Sequence, residues 1–251
     1  MNGDFGRLDP AGRAAEPGQL TWRDFLTERD RAHLIKTWEK TEPFGFGISP
    51  AVLMIDLYYM AVGLRREPLL ESVESAPASC GLEGWAAIDR TIELLAMART
   101  HDIPVIYVKG MDPPARSKHK HASRERVLQE LSPELKRRGN EIVDEVAPQP
   151  GELVFSKPAA SAFIGTPLSI HLRGIGVDTL ICCGETTSGC VRATVVEGAA
   201  LRFRMGVVEE CCFDRTEMSH HINLFDMNQK SADVLSIDDV ALYFDSLKSQ
   251  P

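Results

Sequence analysis

The stretch Thr179-Leu-Ile-Cys-Cys-Gly-Glu-Thr-Thr-Ser-Gly-Cys-Val-Arg-Ala-Thr-Val-Val-Glu-Gly-Ala-Ala200 is the clearest structural signal in the chain. Its apolar start, residues 179–183, predicts a buried strand, which Gly184 ends. Apolar residues at helical spacing then predict a helix from about Ser188 to Ala200. Cys190 lies in the first turn of that helix, where unpaired amide groups and the helix dipole favour a thiolate. The same amides can stabilise an oxyanion on a carbonyl group that Cys190 attacks.

Two interpretations of this cysteine remain open from its position alone. Most cysteines in α/β proteins are small buried hydrophobes, and Cys182 and Cys183 inside the predicted strand fit that description. Cys190 differs because it follows a strand-to-helix turn, where open α/β sheets place their ligand sites. It is therefore either a packing residue or a nucleophile.

The composition excludes several classes of protein. The chain has 251 residues and is 43% hydrophobic, which suffices for one sizeable domain. Its formal charge of -8 argues against a nucleic-acid-binding surface. No apolar run is long enough for a transmembrane helix, and the first residues lack the apolar region of a signal peptide. The six cysteines show no CxxC or Cys/His ligand spacing, so we expect a reduced, cytoplasmic protein with no structural metal and no cofactor.

Residues 1–43 are predicted to form an N-terminal arm that precedes a single domain at 44–251. Residues 1–20 are rich in Gly, Pro and charge, so we expect them to be mobile. Residues 21–40 show helical periodicity and predict an amphipathic helix. Its apolar residues include Trp22, Phe25 and Trp38. This helix either covers its own domain or reaches a neighbouring subunit.

Strands and helices are predicted to alternate along the domain. The strands are expected at about 51–57, 104–109, 152–156, 179–183, 205–211 and 232–235. The helices are expected at about 84–101, 124–131, 166–173, 188–200, 217–229 and 237–247, with an irregular connection at 63–84. This alternation predicts an α/β fold with a doubly wound, mostly parallel sheet and helices on both faces.

Two charged residues end predicted strands at the sheet edge where Cys190 is expected. Asp56 closes an apolar run, where an unpaired carboxylate is costly, so it needs a partner or a role. The alternative is a structural aspartate that caps a loop. Lys157 closes another strand, and alone it would be an ordinary exposed lysine. The basic residues at 116–121 favour a solvated loop over an anion site.

The order Asp56, Lys157, Cys190 resembles that of the isochorismatase-like cysteine hydrolases, and within them it is most similar to N-carbamoylsarcosine amidohydrolase and related amidases. The likeness spans roughly residues 44–247. The motifs that carry it are Val52-Leu-Met-Ile-Asp56, Lys157 with Ser161-Ala-Phe-Ile-Gly-Thr-Pro-Leu168, Thr186-Thr-Ser-Gly-Cys-Val-Arg-Ala-Thr194, and Asn223-Leu-Phe-Asp-Met227.

The resemblance implies a catalytic triad of Cys190, Asp56 and Lys157. It also implies a cis peptide bond between Glu185 and Thr186, and an oxyanion hole formed by the amides of Thr186 and Cys190. Glu185 departs from the small residue usual at its position, so its carboxylate is expected to point away from the thiolate.

Further implications of the resemblance concern the ligands. Arg215 resembles an arginine that binds the substrate carboxylate, although a surface arginine paired with Asp214 or Glu217 is the alternative. Some nicotinamidase relatives bind zinc through Asp-x-His, but Tyr58 stands at the His position here, so a metal is not supported. The resemblance and the apolar arm also suggest a homo-oligomer, either a dimer or a tetramer.

The chemistry expected of these residues is amide hydrolysis. Asp56 takes the proton of Cys190, Lys157 favours the charged forms of both, and the thiolate attacks an amide or carbamoyl carbon. We therefore predict a hydrolase of linear C–N bonds in a small carboxylate-bearing substrate similar to N-carbamoylsarcosine. The alternatives are a maleamate-type amidohydrolase, a ureide or biuret hydrolase, a nicotinamidase, and a non-catalytic interaction module. Isochorismatases that cleave a vinyl ether lack the cysteine nucleophile, so Cys190 argues against that reaction.

Overall fold

A computed structural model describes residues 21–38, 40, 42–111 and 131–248. The basic residues at 116–121 and the segment 1–20 expected to be mobile lie outside the described residues. So does the predicted helix at 124–131, except for its last residue.

Six parallel strands form one sheet in the described part of the chain. They are β1 (Pro50–Ile55), β2 (Val105–Gly110), β3 (Leu153–Lys157), β4 (Thr179–Glu185), β5 (Arg204–Phe213) and β6 (Asp233–Leu235). Their order across the sheet is β3-β2-β1-β4-β5-β6. The predicted doubly wound, parallel α/β fold is therefore confirmed.

Helices cover both faces of the sheet. The α-helices of the described residues are α1 (Glu28–His33), α2 (Tyr59–Val62), α3 (Leu69–Ser75), α4 (Gly81–Thr100), α5 (Pro133–Arg138), α6 (Leu168–Gly174), α7 (Arg192–Ala200), α8 (Glu217–Lys230) and α9 (Ile237–Leu247). The apolar layer on one face contains residues of α4 and α9, and the layer on the other face contains residues of α6, α7 and α8. In the described ranges, no helix combines the length and apolarity that crossing a bilayer requires.

The prediction of an irregular connection at 63–84 is wrong. Helix α3 occupies residues 69–75 within it, and α4 begins at Gly81. Helix α3 buries only Ser72, so it has no apolar stripe whose period could reveal it in the sequence. The short helix α5 was not predicted for a related reason, because Leu135 is its single buried residue.

The predicted helix at 21–40 is divided into three short helical pieces, at 22–25, 28–33 and 34–38. The break occurs at Thr27, whose side chain forms a capping box with Asp30 and starts α1. The arm packs on its own domain, since its first aromatic ring, Trp22, lies 5.3 Å from the ring of Phe225 in α8. The oligomeric assembly stays a prediction.

Lys40 anchors the end of the arm to the sheet. Its ammonium group forms a buried ion pair with Asp233 at the start of β6 and also donates to the carbonyl of Ala232. Asp233 accepts hydrogen bonds from the amides of Phe44 and Gly45 as well. These contacts fix the point at which the chain enters the domain.

The strand order reverses between β1 and β4, which are hydrogen-bonded neighbours at the centre of the sheet. Ligands of open α/β sheets bind at the carboxyl ends of strands at such a switch point. The two strands approach closely here, because a Cβ atom on Gly184 would lie 1.9 Å from the carbonyl oxygen of Ile55. Gly184 also has a positive φ of 120°. Only glycine fits this position without displacing the end of β1.

Replacing Gly184 with alanine is expected to separate the ends of β1 and β4. We expect Gly184→Ala to lower the free energy of unfolding by about 3 kcal/mol or more, since the clash is with backbone rather than with a flexible side chain. Urea unfolding of the two proteins measures this. Gly174→Ala is the matched control, because no atom lies within 4 Å of its new Cβ. Equal losses in the two variants would contradict the argument.

Candidate active site

The structure brings Asp56, Lys157 and Cys190 together at the carboxyl edge of the sheet. Asp56 directly follows β1, Lys157 is the last residue of β3, and Cys190 lies in the helical turn Thr187–Val191 that leads into α7. The Lys157 ammonium lies 2.7 Å from Oδ2 of Asp56 and 3.1 Å from Sγ of Cys190. It also donates to the carbonyl of Ala159, 3.3 Å away. One cation therefore contacts both a carboxylate and a thiol.

The Asp56–Lys157 pair is buried, with side chains that are 2% and 4% exposed. Burial raises the pKa of Asp56, while the Lys157 charge and hydrogen bonds from Cys190 and Lys157 oppose that rise. Burial also disfavours the Lys157 charge, but the charges of Asp56 and Cys190 prevail and raise its pKa. Buried charges persist only when they are paired, so each of these residues depends on the other.

Asp56 has further features of a functional residue. Its φ of 54° is in the left-handed region, which residues other than glycine seldom adopt. Its Oδ1 is buried and makes no hydrogen bond of ordinary geometry to any described residue. Its contacts are more than those of a loop cap, because Oδ2 contacts Lys157 and the carboxylate also forms hydrogen bonds with Cys190 and with the backbone of Gly110.

Burial raises the pKa of Cys190 to about 12, the Asp56 charge adds to the rise, and the Lys157 charge opposes it. The helix terminus favours a thiolate, as the sequence predicts, but burial and the Asp56 carboxylate act against that effect. The thiol needs a base to become a nucleophile, and Asp56 is the adjacent base.

The backbone between β4 and α7 is tightly constrained. The peptide bond between Glu185 and Thr186 is cis. The carbonyl of Thr186 accepts hydrogen bonds from the amides of Gly189 and Val191. A Cβ atom on Gly189 would lie 2.4 Å from the Thr186 hydroxyl oxygen, so a side chain there would displace this turn. These contacts fix where Cys190 begins its helix.

Two contacts that the sequence did not predict hold this turn from outside. Asp214, after β5, accepts a hydrogen bond from the Ser188 amide at 2.7 Å. The Thr187 hydroxyl donates to the carbonyl of Phe213 and lies 2.8 Å from Nδ1 of His220. Burial and the charge of a neighbouring histidine lower the pKa of His220 to about 4, so it is neutral near pH 7. The Nδ1–H group of a neutral histidine can donate to the Thr187 hydroxyl and so orient the turn.

The segment after Lys157 packs against the helix that follows Cys190. The amide of Ala162 donates to the hydroxyl of Thr194 in α7, with a distance of 3.0 Å. Both Ala162 and Thr194 are fully buried. This contact joins two of the motifs that the sequence singled out and holds the lysine segment beside the cysteine helix.

Arg215 lies at the same edge of the sheet, after β5, and its side chain is 47% exposed. Its guanidinium is 3.6 Å from Oε2 of Glu185, whose side chain is 7% exposed. The guanidinium is thus paired with neither Asp214 nor Glu217, the two partners considered from the sequence. Asp214 does accept a hydrogen bond from the backbone amide of Arg215. The guanidinium is therefore accessible to solvent while it lies near a buried carboxyl group.

Glu185 ends β4 with a carboxyl group in a nearly solvent-free position. Burial raises its pKa to about 8, the Arg215 charge opposes the rise, and the Asp56 charge adds to it. The Tyr58 hydroxyl interacts with the same carboxyl group, and the negative charges of Glu185, Asp56 and Cys190, together with burial, raise the pKa of Tyr58. Tyr58 therefore connects Glu185 to the triad. The signal in the sequence was a carboxylate ending an apolar strand, the same signal that identified Asp56.

In the described residues, no group of three or more His, Cys, Asp and Glu side chains is arranged to hold a metal ion. The cluster of Asp56, Lys157 and Cys190 contains a cation of its own, the Lys157 ammonium.

Comparison with known proteins agrees with this geometry. A family model described as "Isochorismatase domain" matches residues 76–239, a range that includes Lys157 and Cys190. The chain is 37% identical over 200 residues to maleamate amidohydrolase from Pseudomonas putida, covering 78% of this chain and 86% of that protein. It is 33% identical over 208 residues to N-carbamoylsarcosine amidase from Arthrobacter, covering 81% and 74%.

A solved structure has the same fold. The isochorismatase family protein from Desulfovibrio vulgaris superposes with a TM-score of 0.62 at 26% sequence identity. The match covers 80% of this chain and 99% of that structure.

Removing the charge of Asp56 is expected to activate the thiol while it stops turnover. In Asp56→Asn, Lys157 loses its carboxylate partner, and the Cys190 thiol 3.1 Å away is left to supply the balancing negative charge. The pKa of Cys190 therefore falls, and alkylation by iodoacetamide at pH 7 accelerates at least about tenfold. Mass spectrometry of the alkylated protein measures the rate. Cys190→Ala is the control, because the other five cysteines are buried and are expected to stay unlabelled. Slower alkylation in Asp56→Asn would contradict this account.

Proposed function

The chain belongs to the isochorismatase family, as a hydrolase of amide bonds, and from this premise we propose that it cleaves a linear amide or N-carbamoyl C–N bond in a small substrate that carries a carboxylate. Cys190 is the nucleophile, Asp56 the general base and acid, and Lys157 the cation that stabilises both. The products are ammonia and the corresponding acid.

The single observation that carries the proposal is the position of the Lys157 ammonium, 2.7 Å from Asp56 Oδ2 and 3.1 Å from Cys190 Sγ. A structural ion pair requires only the carboxylate, so the contact with the thiol is the unusual element. Proton transfer from Cys190 to Asp56 moves negative charge from oxygen to sulfur. Lys157 neutralises that charge before and after the transfer, so the thiolate forms at little electrostatic cost.

The reaction proceeds in two halves. In the first, Asp56 accepts the thiol proton, sulfur bonds to the carbonyl carbon, and the C–N bond breaks as Asp56 returns the proton to the leaving ammonia. In the second, Asp56 takes a proton from water, the hydroxide attacks the thioester, and Cys190 leaves and regains its proton. The amides of Thr186 and Cys190 are proposed to stabilise the oxyanion in both halves.

Arg215 is proposed to bind the substrate carboxylate. Its guanidinium is partly exposed at the same sheet edge, and a planar guanidinium matches a carboxylate through two parallel hydrogen bonds. The names of the two relatives support this substrate class, because maleamate and N-carbamoylsarcosine both combine a carboxylate with a terminal amide or carbamoyl group. Maleamate and N-carbamoylsarcosine are therefore the two substrates to assay first.

Ammonia release from a panel of compounds tests the proposal. The panel contains maleamate, N-carbamoylsarcosine and an uncharged amide of similar size. The wild type is expected to release ammonia from at least one carboxylate-bearing member, and Cys190→Ala from none. Absence of ammonia from every member would reject the enzyme and favour a non-catalytic module. Full activity in Cys190→Ala would reject the nucleophile.

The same panel tests the role of Arg215. Losing a charge-assisted pair is expected to cost about 2–4 kcal/mol in kcat/KM, roughly a thirtyfold to thousandfold loss, and only for the carboxylate-bearing members. Arg173→Ala is the matched control, because it removes an exposed arginine of α6 from outside the site. A uniform drop across the panel would indicate a folding defect, and no drop on any member would remove Arg215 from the site.

A further inference from the structure

Glu185 is a buried ionisable group to which the proposed reaction gives no task. It ends β4, directly before the cis peptide bond, and the residue is 5% exposed. Its Oε2 accepts no hydrogen bond of ordinary geometry from any described residue. A buried polar atom without a partner is costly, so a chain that keeps one needs a reason to do so.

The groups that face Glu185 come from four elements. They are Asp56 at the end of β1, Tyr58 before α2, Cys80 before α4, and Asp214 and Arg215 after β5. Arg215 is the one cation among these five, and its guanidinium lies 3.6 Å from Oε2 of Glu185 without a hydrogen bond to it. The contact is close enough for attraction and too long to occupy the donors of the guanidinium.

We propose that Glu185 is a positioning residue that sets how strongly Arg215 binds the substrate carboxylate, an inference that rests on the proposed function. When Glu185 is protonated, it carries no charge that competes for Arg215, and the guanidinium is free for the substrate. When Glu185 is ionised, it pairs with Arg215 and repels the carboxylate of the substrate.

The protonated and ionised states of Glu185 exchange within the pH range in which enzymes are assayed. Burial raises its pKa to about 8, against the charge of Arg215. About nine-tenths of the molecules hold the proton at pH 7 and about one-tenth at pH 9, so apparent affinity for a carboxylate falls about tenfold between these values if only the protonated form binds it. An uncharged substrate makes no use of Arg215, so its affinity is unchanged.

Calorimetry with maleamate tests the inference without turnover. In the Cys190→Ala background, the dissociation constant of maleamate is expected to rise about tenfold from pH 7 to pH 9. With Glu185→Gln added, the dissociation constant is expected to be the same at pH 7 and pH 9, because the glutamine amide cannot ionise. With Arg215→Ala added instead, binding is weak at both. Maleic diamide, which has no charge, is the control ligand and is expected to show no dependence on pH.

The outcomes separate this inference from the proposed function. Three results would overturn the inference. They are an equal loss of affinity from pH 7 to pH 9 in the Glu185→Gln protein, no loss in either protein, and no binding of maleamate at pH 7. Absence of ammonia from the whole substrate panel is a different result and removes the proposed function. If Glu185→Gln fails to fold, the KM values of the wild type for maleamate and for maleic diamide are compared from pH 7 to pH 9. Only the KM for maleamate, the charged substrate, is expected to rise.

Discussion

The site depends on a buried ion pair placed where the strand order of the sheet reverses. Asp56 and Lys157 come from β1 and β3, two strands that are separated by β2, and they meet at the sheet edge 2.7 Å apart. Burying two charges costs several kcal/mol each unless they are paired, so neither is stable there without the other. Their pairing places the Lys157 ammonium beside Cys190 Sγ, since the turn that carries Cys190 leaves the neighbouring strand β4. The sheet therefore brings a cation, a carboxylate and a thiol together at one place.

Close backbone contact makes this arrangement possible. Gly184 allows β4 to approach the end of β1, and Gly189 allows the following turn to close on Thr186. The turn is then held from the next strand by the hydrogen bond between Asp214 and the Ser188 amide. This arrangement keeps the Cys190 thiol and the Asp56 carboxylate close to the Lys157 ammonium. Proton transfer between the thiol and the carboxylate requires such proximity.

Much of the fold and of the site could be predicted from the sequence. The six strands were predicted from their apolar residues, and Asp56 stood out because a carboxylate ends such a run. Lys157 looked ordinary by itself and was singled out by its order with Asp56 and Cys190. The ionisation of Cys190 could not be predicted, because burial and the Asp56 charge depend on the folded surroundings. The contact between Glu185 and Arg215 was not readable either, since it joins the ends of two strands through a side-chain direction that the sequence does not specify. Helix α3 was not predicted because a helix with one buried residue shows no apolar periodicity in the sequence.

The central claim is that the Lys157 charge controls the ionisation of Cys190. The measurement that tests it most directly is the rate of Cys190 alkylation by iodoacetamide in Lys157→Met across the pH range. The account predicts a rate at least about tenfold below that of the wild type near pH 7, because the cation 3.1 Å from Sγ is lost. Lys109→Met is the matched control, since Lys109 is the last residue but one of β2 at the same edge and donates instead to the carbonyl of Asn140. Alkylation of Lys157→Met at the wild-type rate would contradict the account.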